Sequence, residues 1–165
     1  MVTLPSHVFF TPKRYFWALM QELYSCAVTV TDCGCGMGIL LGMADYFKLP
    51  MRGVDICHRE ALSNKIEFID ATTLSWSSSE WPMLCRPSHG QWIGTMIDRV
   101  RADGSCMIYI GLPRNVKRDL AGARFVKITT KPVGIDGEHF YVVPSNGFPY
   151  WPTIRDALKR VPYLE

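Results

Sequence analysis

Three glycines at alternate positions, Gly34, Gly36 and Gly38, follow a short β-branched run that ends at Asp32 and Cys33. Glycine permits a tight turn with positive φ and lets a ligand approach the backbone closely. A strand, a glycine-rich turn and a helix in that order bind anionic or nucleotide-like ligands at the carboxyl end of a parallel sheet. A flexible loop that happens to be rich in Gly and Cys is the alternative.

Two carboxylates lie at the ends of the next two apolar runs. Asp55, in "RGVDIC", comes about twenty residues after the glycine turn, where a carboxylate can accept hydrogen bonds from both hydroxyls of a ribose. Asp70, in "EFIDATTL", is suitably placed for the edge of an adenine. As an alternative, Asp55 would cap a helix starting near Arg59, and Asp70 a turn at Thr72. The joint placement of these residues with the glycine turn favours a binding site.

The elements that must position these residues alternate between helix and strand. Thr11 as N-cap and Pro12 as the first helical residue predict a helix from about Pro12 to Ser25. Short apolar runs then alternate with segments of helical spacing, which predicts a parallel sheet with helices on both faces. The predicted strands are 27–33, 51–57, 65–71, 82–88 and 104–112, and the predicted helices are 37–49, 58–64, 90–102 and 115–122.

The last third of the chain breaks this alternation. Residues 124–145 contain two strand-like runs around Gly134 to Gly137 with no helix between them, which predicts a hairpin. A Pro- and aromatic-rich tail then ends in a short helix. We expect one domain over residues 1–165, with an N-terminal helix in 1–26, a sheet core in 27–145 and the tail in 146–165.

Composition excludes several classes of protein. With 48% apolar and 20% charged residues, the chain is neither disordered nor apolar enough to span a bilayer. The first residues lack the order of a secretory signal, so we expect an intracellular protein with reduced cysteines and no membrane partner. A metal site from Cys33, Cys35, Cys57 and His58 is disfavoured, because C-x-C followed by C-H matches no usual zinc pattern.

The net charge of +3 is unevenly distributed. Residues 1–110 carry nine Lys or Arg against ten Asp or Glu, whereas the last 55 residues carry nine against five. A basic stretch over residues 114–131, with Asp119 as its acidic residue, is the densest part and could meet a polyanion such as nucleic acid. A solvated surface around a helix and an edge strand is the alternative. The basic residues of the stretch are Arg114, Lys117, Arg118, Arg124, Lys127 and Lys131.

Four features can be compared with known families: the order of elements, the "DCGCGMG" turn, "GVDI" and "FIDA" at the next two strands, and the closing strand pair. Together they resemble the S-adenosylmethionine-dependent methyltransferases of Rossmann-like fold. The resemblance covers nearly the whole chain and implies S-adenosylmethionine as cofactor. It also implies a mostly parallel seven-stranded sheet whose last strand is antiparallel and inserted beside the fifth. A nicotinamide dehydrogenase would instead show G-x-G-x-x-G. By this resemblance, Asp32, Gly34, Gly36 and Gly38 hold the methionine part of the cofactor, Asp55 the ribose, and Asp70 with Ala71 the adenine.

The N-terminal segment "FFTPKRYFWALMQEL" is similar to the one that precedes the cofactor loop in DNA adenine methyltransferases. There, Phe-Thr-Pro opens a helix whose first turn touches the cofactor, which implies contacts from Thr11 and Pro12. A capped helix that packs on the sheet is the alternative. Those enzymes carry Asn/Asp-Pro-Pro-Tyr/Phe after the fourth strand, whereas this chain has "LCRPSHG", in which one proline aligns and the amide or acid and the aromatic residue are missing.

Arg86 and His89 in this segment are the candidate catalytic residues. Arg86 only donates hydrogen bonds and cannot accept one from an attacking amine, so we expect it to orient an anionic group or to form a loop ion pair. His89 is a candidate base near neutral pH, and an exposed loop histidine before a helix is the alternative. Methyl transfer is an in-line displacement at a sulfonium, so it depends mostly on positioning, and a base can be dispensable.

Several aromatic residues are expected near the site or in the tail. Trp76, Trp81 and Trp92 lie around the mouth of the predicted sheet, where they would stack on a planar substrate unless they are core or loop anchors. Tyr150 and Trp151 would pin the tail to the domain.

Two functions from different classes remain. In the first, the protein is an active methyltransferase whose acceptor is a nucleic acid or another anionic or planar molecule. In the second, it is a catalytically inactive methyltransferase-like protein that binds S-adenosylmethionine or a partner as a regulatory or binding module. Both functions use the same predicted cofactor residues, so the segment after the fourth strand has to distinguish them.

Overall fold

A computed structural model describes residues 10–57 and 64–165 of the chain. Within these residues, the strands are β1 Thr29–Cys33, β2 Arg52–Val54, β3 Ile66–Glu67, β4 Glu80–Cys85, β5 Met107–Gly111, β6 Val126–Lys127 and β7 His139–Val143. The α-helices are α1 Arg14–Ser25, α2 Ile39–Tyr46, α3 Gln91–Ala102, α4 Pro113–Asp119 and α5 Trp151–Lys159. One short 3₁₀ turn, Ala71–Thr73, follows β3.

The seven strands form one sheet in the order β3-β2-β1-β4-β5-β7-β6. The pairs from β3 to β5 are parallel, and β7 runs antiparallel between β5 and β6. The expected fold class, a mostly parallel seven-stranded sheet with an antiparallel end, is confirmed. Parallel pairing brings the carboxyl ends of β1, β2, β3 and β4 to one edge of the sheet, which is called the carboxyl edge below.

Helices cover both faces of the sheet, and β5 shows how its side chains divide between them. Ile108 and Ile110 pack in one apolar cluster with residues of α1, α2 and α5. Met107 and Tyr109 pack in a second cluster with residues of α3 and α4. Successive side chains of a strand point to opposite faces, so a strand that is apolar throughout requires cover on both sides.

The start of the first helix differs from the prediction. α1 begins at Arg14 with Lys13 at the N-cap, so Thr11 is not its cap and Pro12 is not its first residue. Residues 11–13 instead lie extended beside residues 133–135: Ile135 N donates to Thr11 O at 3.1 Å, and Lys13 N donates to Val133 O at 2.8 Å. A backbone pairing with a segment distant in sequence therefore replaces the local cap.

Two of the three tryptophans expected around the mouth of the sheet follow the alternative of core anchors. Trp81 is fully buried in β4 and its Nε1 donates to Ser78 O at 2.8 Å. Trp76 is buried in the second apolar cluster. Both are therefore anchors of the core rather than stacking platforms, because their rings lie within packed apolar clusters. Trp92 instead lines a cavity at the carboxyl edge of the sheet. Trp151 packs in the first cluster and holds the tail, whereas Tyr150 is exposed.

Several elements are shorter than predicted. β3 contains only Ile66 and Glu67, and β4 ends at Cys85 because Arg86 adopts a left-handed φ of 46°. The helix predicted over 58–64 lies almost entirely outside the described residues. In the described part of the chain, none of the helices has the length and apolar character needed to cross a bilayer.

Two glycine substitutions test the packing of the extended segment. A Cβ at Gly134 would lie 2.6 Å from the Phe10 ring and 2.7 Å from Glu138 Oε1, whereas a Cβ at the exposed helical Gly94 would meet nothing within 4 Å. We predict that Gly134→Ala lowers the free energy of unfolding by about 1–3 kcal/mol. Gly94→Ala should raise it by up to about 1 kcal/mol, because alanine favours a helix. Urea unfolding measures both, and an unchanged midpoint for Gly134→Ala would contradict the packing.

Candidate functional site

A cavity of about 870 Å³ opens at the carboxyl edge of the sheet. This volume lies within the range of small-molecule and cofactor sites. Its walls come from residues 10–12, 32–37, 54–57, 69–72 and 85–88, with further side chains from α2 and α3. The ends of the first four strands therefore meet at one concave site.

The glycine turn forms one wall of this cavity. Gly34 and Gly36 line it with φ of 82° and 59°, a left-handed conformation that favours glycine. Gly34 N and Cys35 N both donate to Val54 O, at 2.8 and 3.1 Å, which folds the turn over the end of β2. Gly38 also has a positive φ, but it lies outside the lining and is the N-cap residue of α2.

Asp55 joins the turn to the second strand. Its Oδ2 accepts a hydrogen bond from Gly36 N at 2.7 Å, and its Oδ1 accepts one from Cys57 N at 2.8 Å. The side chain is nearly buried and lines the cavity. Each carboxylate oxygen can accept more than one hydrogen bond, so this carboxylate organises the site and retains acceptor capacity for a ligand. The alternative cap at a helix near Arg59 falls outside the described residues.

Asp32 lies beneath the turn at the end of β1 and also lines the cavity. Among the described residues, no group donates a hydrogen bond to its carboxylate. Burial, reinforced by the negative charge of Asp55, raises the pKa of Asp32 to about 7. Desolvation disfavours the ionised form, so Asp32 is about half protonated at pH 7 and more fully protonated below it.

Asp70 and Ala71 line the cavity at the end of β3. Asp70 Oδ1 accepts from the Thr72 hydroxyl at 2.7 Å and from Thr72 N at 3.0 Å. These two hydrogen bonds from Thr72 lower the pKa of Asp70, so the carboxylate is ionised. The cap at Thr72 is therefore present, and Asp70 occupies the cavity wall at the same time.

The extended N-terminal segment closes another side of the cavity. Phe10, Thr11 and Pro12 all line it. They are held there by the pairing with residues 133–135 and by the edge-to-face contact of Phe10 with Phe16, whose ring centroids lie 5.1 Å apart. Thr11 and Pro12, for which the resemblance implies cofactor contacts, therefore line the cavity without forming the start of α1.

Arg86 lines the cavity beyond β4, and its side chain is only 12% exposed. Its Nη1 lies 3.2 Å from Asp136 Oδ2 and 3.8 Å from Glu138 Oε2, so the ion-pair alternative is realised. Glu138 is fully buried, and this burial raises its pKa. Sequence reasoning missed both acids, because Arg86 and Asp136 are 50 residues apart and no local pattern links them.

His89 is not among the residues that line the cavity. Its Nδ1 lies 2.8 Å from Oδ1 of Asp119 in α4, and 56% of the side chain is exposed. Asp119 also accepts hydrogen bonds from Tyr109 at 2.5 Å and Arg118 at 2.9 Å. Burial alone would raise the pKa of Asp119, but the hydrogen bonds from Arg118, Tyr109 and His89 outweigh it and lower the pKa.

The cysteines are all free thiols. Burial raises the pKa of Cys33 and Cys85 well above the usual value, so both thiols in the cavity wall stay protonated. Cys35 and Cys57 line the same cavity. Over residues 10–57 and 64–165 there is no group of three or more His, Cys, Asp or Glu side chains suited to a metal ion, and His58 lies outside these ranges.

The raised pKa of Asp32 predicts a pH-dependent stability. An exposed aspartate titrates near 3.8 and folded Asp32 near 7, so between these values the folded state binds more protons than the unfolded state. Stability therefore falls as pH rises through this window. We predict that the stability of Asp32→Asn relative to the native chain rises there by up to about 1.4 kcal/mol per pH unit.

Urea unfolding across this pH window measures the effect. The exposed Asp98 in α3 supplies the matched control, Asp98→Asn, which makes the same change of side chain outside the cavity. A difference for Asp32→Asn that is constant with pH, or no more dependent on pH than that of the control, would contradict the raised pKa of Asp32.

No family model matches the chain, and no curated protein matches it. Solved structures do match. The bifunctional kinase-methyltransferase WbdD is 13% identical with a TM-score of 0.53 over 81% of this chain and 38% of its own, so this chain spans less than half the length of WbdD. The 23S rRNA methyltransferase ErmE is 11% identical, with a TM-score of 0.51 over 86% of this chain and 71% of its own.

A third structure matches over nearly its full length. It is the 1,6-didemethyltoxoflavin-N1-methyltransferase of Burkholderia thailandensis with bound 1,6-didemethyltoxoflavin and S-adenosylhomocysteine, which is 12% identical. The TM-score is 0.50, over 88% of this chain and 94% of that protein. None of these structures tests the similarity to DNA adenine methyltransferases, which stays a prediction. The chain has the Rossmann-like fold of S-adenosylmethionine-dependent methyltransferases.

Proposed function

We propose that this chain is an S-adenosylmethionine-dependent methyltransferase whose cofactor binds in the cavity at the carboxyl edge. One observation carries the proposal: the glycine turn after β1, Asp55 after β2 and Asp70 with Ala71 after β3 line the same cavity. The fold shared with solved methyltransferases supports it, and one of those structures holds S-adenosylhomocysteine.

The lining suits the chemical groups of this cofactor. Gly34 and Gly36 present backbone without side chains to the cavity, so a methionine moiety can approach closely. The Asp55 carboxylate retains lone pairs for two ribose hydroxyls. Asp70 and Ala71 offer polar and small neighbours for an adenine. Asp32, Thr11, Pro12 and Gly38 complete the proposed set, Gly38 through the start of α2 rather than by contact.

The residues of the chain position the reactants in this proposal. The bound cofactor supplies an electrophilic methyl group on a sulfonium, and displacement there needs an acceptor held in line. Residues 85–88 line the cavity beside the turn, and Arg86 can donate to an anionic group of the acceptor while Asp136 holds it. The proposal requires no base, and it places His89 at the rim rather than at the reacting atoms.

Arg86 also favours a second candidate function. It occupies the position after β4 where amine-modifying enzymes carry a side chain that accepts hydrogen bonds from the attacking amine, and a guanidinium cannot accept one. Its Nη1 lies 3.2 Å from Asp136, so the side chain has a structural partner. The alternative is a catalytically inactive protein that binds S-adenosylmethionine as a regulatory or binding module.

Calorimetric titration with S-adenosylmethionine and S-adenosylhomocysteine tests the cofactor site. We predict binding of both, and at least about tenfold weaker binding for Asp55→Asn, because the amide loses the charge and one acceptor oxygen. Asp98→Asn, an exposed site in α3, is the matched control and should bind as the native chain does. Absence of heat with either compound at high protein concentration would refute the proposed site, and unchanged affinity of Asp55→Asn would refute the role of Asp55.

A radiolabelled methyl group separates the two candidate functions. Transfer from labelled S-adenosylmethionine to DNA, RNA, protein or a small-molecule pool supports the enzyme. Tight cofactor binding without transfer to any of these pools supports the binding module.

A further inference from the structure

The basic stretch of residues 114–131 is a surface of unneutralised positive charge. All six of its Lys and Arg residues are exposed. Arg118 is engaged with Asp119, and none of the other five has a described carboxylate within 4.0 Å. These five cations are Arg114, Lys117, Arg124, Lys127 and Lys131. Exposed charges of one sign with no local counter-charge create an attractive field for a polyanion.

The single acid of the stretch is paired with Arg118, so it offsets one cation and leaves the other five. The side chain of Asp119 is fully buried, and it accepts hydrogen bonds from Tyr109 and Arg118. His89 approaches the same carboxylate at 2.8 Å. The carboxylate is thus directed into the protein, whereas the cations around it face solvent.

The basic helix is attached to the rim of the cavity. α4 begins directly after β5, and Arg114, Lys117 and Arg118 share one helical face at spacings of three and four residues. Val116 and Asp119 are buried on the other side of the helix. The contact between Asp119 and His89 ties α4 to the loop whose preceding residue, Ser88, lines the cavity. A chain bound along α4 would therefore pass near the loop that borders the cavity.

An exposed aromatic ring lies within the same stretch. Phe125 is 39% exposed, and in the sequence it comes directly after Arg124 and shortly before Lys127. An edge-to-face contact with Tyr141, at 5.9 Å between centroids, holds the ring in place. Cations interleaved with a fixed exposed aromatic ring are typical of surfaces that bind single-stranded nucleic acid, since the cations contact phosphates and the ring stacks on a base.

We propose that the basic stretch binds single-stranded nucleic acid and that a base of this strand is the methyl acceptor. The second part rests on the proposed methyltransferase function, and the first does not. Phosphates lie along α4 and the segment to Lys131, and a base reaches the cavity over residues 86–88. A single strand suits this site because a base in a duplex must first be unpaired and unstacked, at a cost of a few kcal/mol.

Fluorescence anisotropy tests the surface with labelled mixed-sequence RNA and DNA strands of about twelve nucleotides. The expected result is binding of single strands that weakens from about 50 to 200 mM salt, with a log–log slope of about −3.5 for five contacted phosphates. The RNA and DNA arms show which sugar the surface prefers. Absent binding, or binding that does not depend on salt, would overturn the proposal. Tighter binding of the corresponding duplex or of heparin than of the single strands would also overturn it.

A pair of charge-matched variants locates the surface. Arg114→Gln/Lys117→Gln should reduce single-strand affinity about tenfold at low salt and reduce the magnitude of the slope by about 1.4. Lys159→Gln/Arg160→Gln removes the same charge from exposed positions at the end of α5 and should leave both unchanged. Equal losses in the two variants would overturn the proposal, because net charge alone would then explain binding.

Calorimetry with S-adenosylhomocysteine on the same variants separates this proposal from the proposed function. Both variants should bind it as the native chain does, because none of the four residues lines the cavity. Strand binding without S-adenosylhomocysteine binding would refute the methyltransferase and the acceptor base, and it would leave the nucleic-acid surface standing. S-adenosylhomocysteine binding without strand binding would refute only the surface.

Discussion

The carboxylate of Asp55 connects the glycine turn to the end of β2 in the cavity at the carboxyl edge. It accepts from Gly36 N at 2.7 Å, which holds the glycine turn against the end of β2. The parallel pairing of Cys33 with Val54 brings the two strand ends together. Gly53 permits this close approach, because a Cβ there would lie 2.6 Å from Cys35 Sγ and 2.8 Å from Leu41 Cδ1. One buried carboxylate and one small residue thus set the shape of the turn.

The cavity and its rim depend on different parts of the chain. The ends of β1, β2 and β3 form the floor of the cavity, and all three lie within the first half of the sequence. The rim residue Arg86 is held by Asp136 from the segment before β7, and His89 is held by Asp119 from α4. Substitutions in the second half can therefore alter what approaches the cavity while the floor keeps its geometry, as expected for a fold whose members act on different substrates.

Local patterns predicted the sheet and the floor of the cavity well, and they failed where long-range packing competes. Alternating apolar runs and helical segments predict a parallel sheet. The strand ends that carry the glycine turn, Asp55 and Asp70 must then share one edge of that sheet. The cap predicted at Thr11 was wrong, and Trp81 follows the alternative of a core anchor, both for physical reasons. The backbone pairing with residues 133–135 replaced a local helix cap, and a tryptophan near a loop proved to be the largest fully buried side chain of β4.

The fold class and the positions of the glycine turn, Asp55 and Asp70 follow from the sequence, because these depend on local spacing and on the geometry that parallel strands impose. The partners of Arg86 and His89 come from the tertiary structure, since acids 50 and 30 residues away reach them through sheet order rather than through any local pattern. The protonation of Asp32 comes from the tertiary structure as well, because a pKa of about 7 arises from burial beside Asp55. Burial is a property of packing, which residue types alone do not specify.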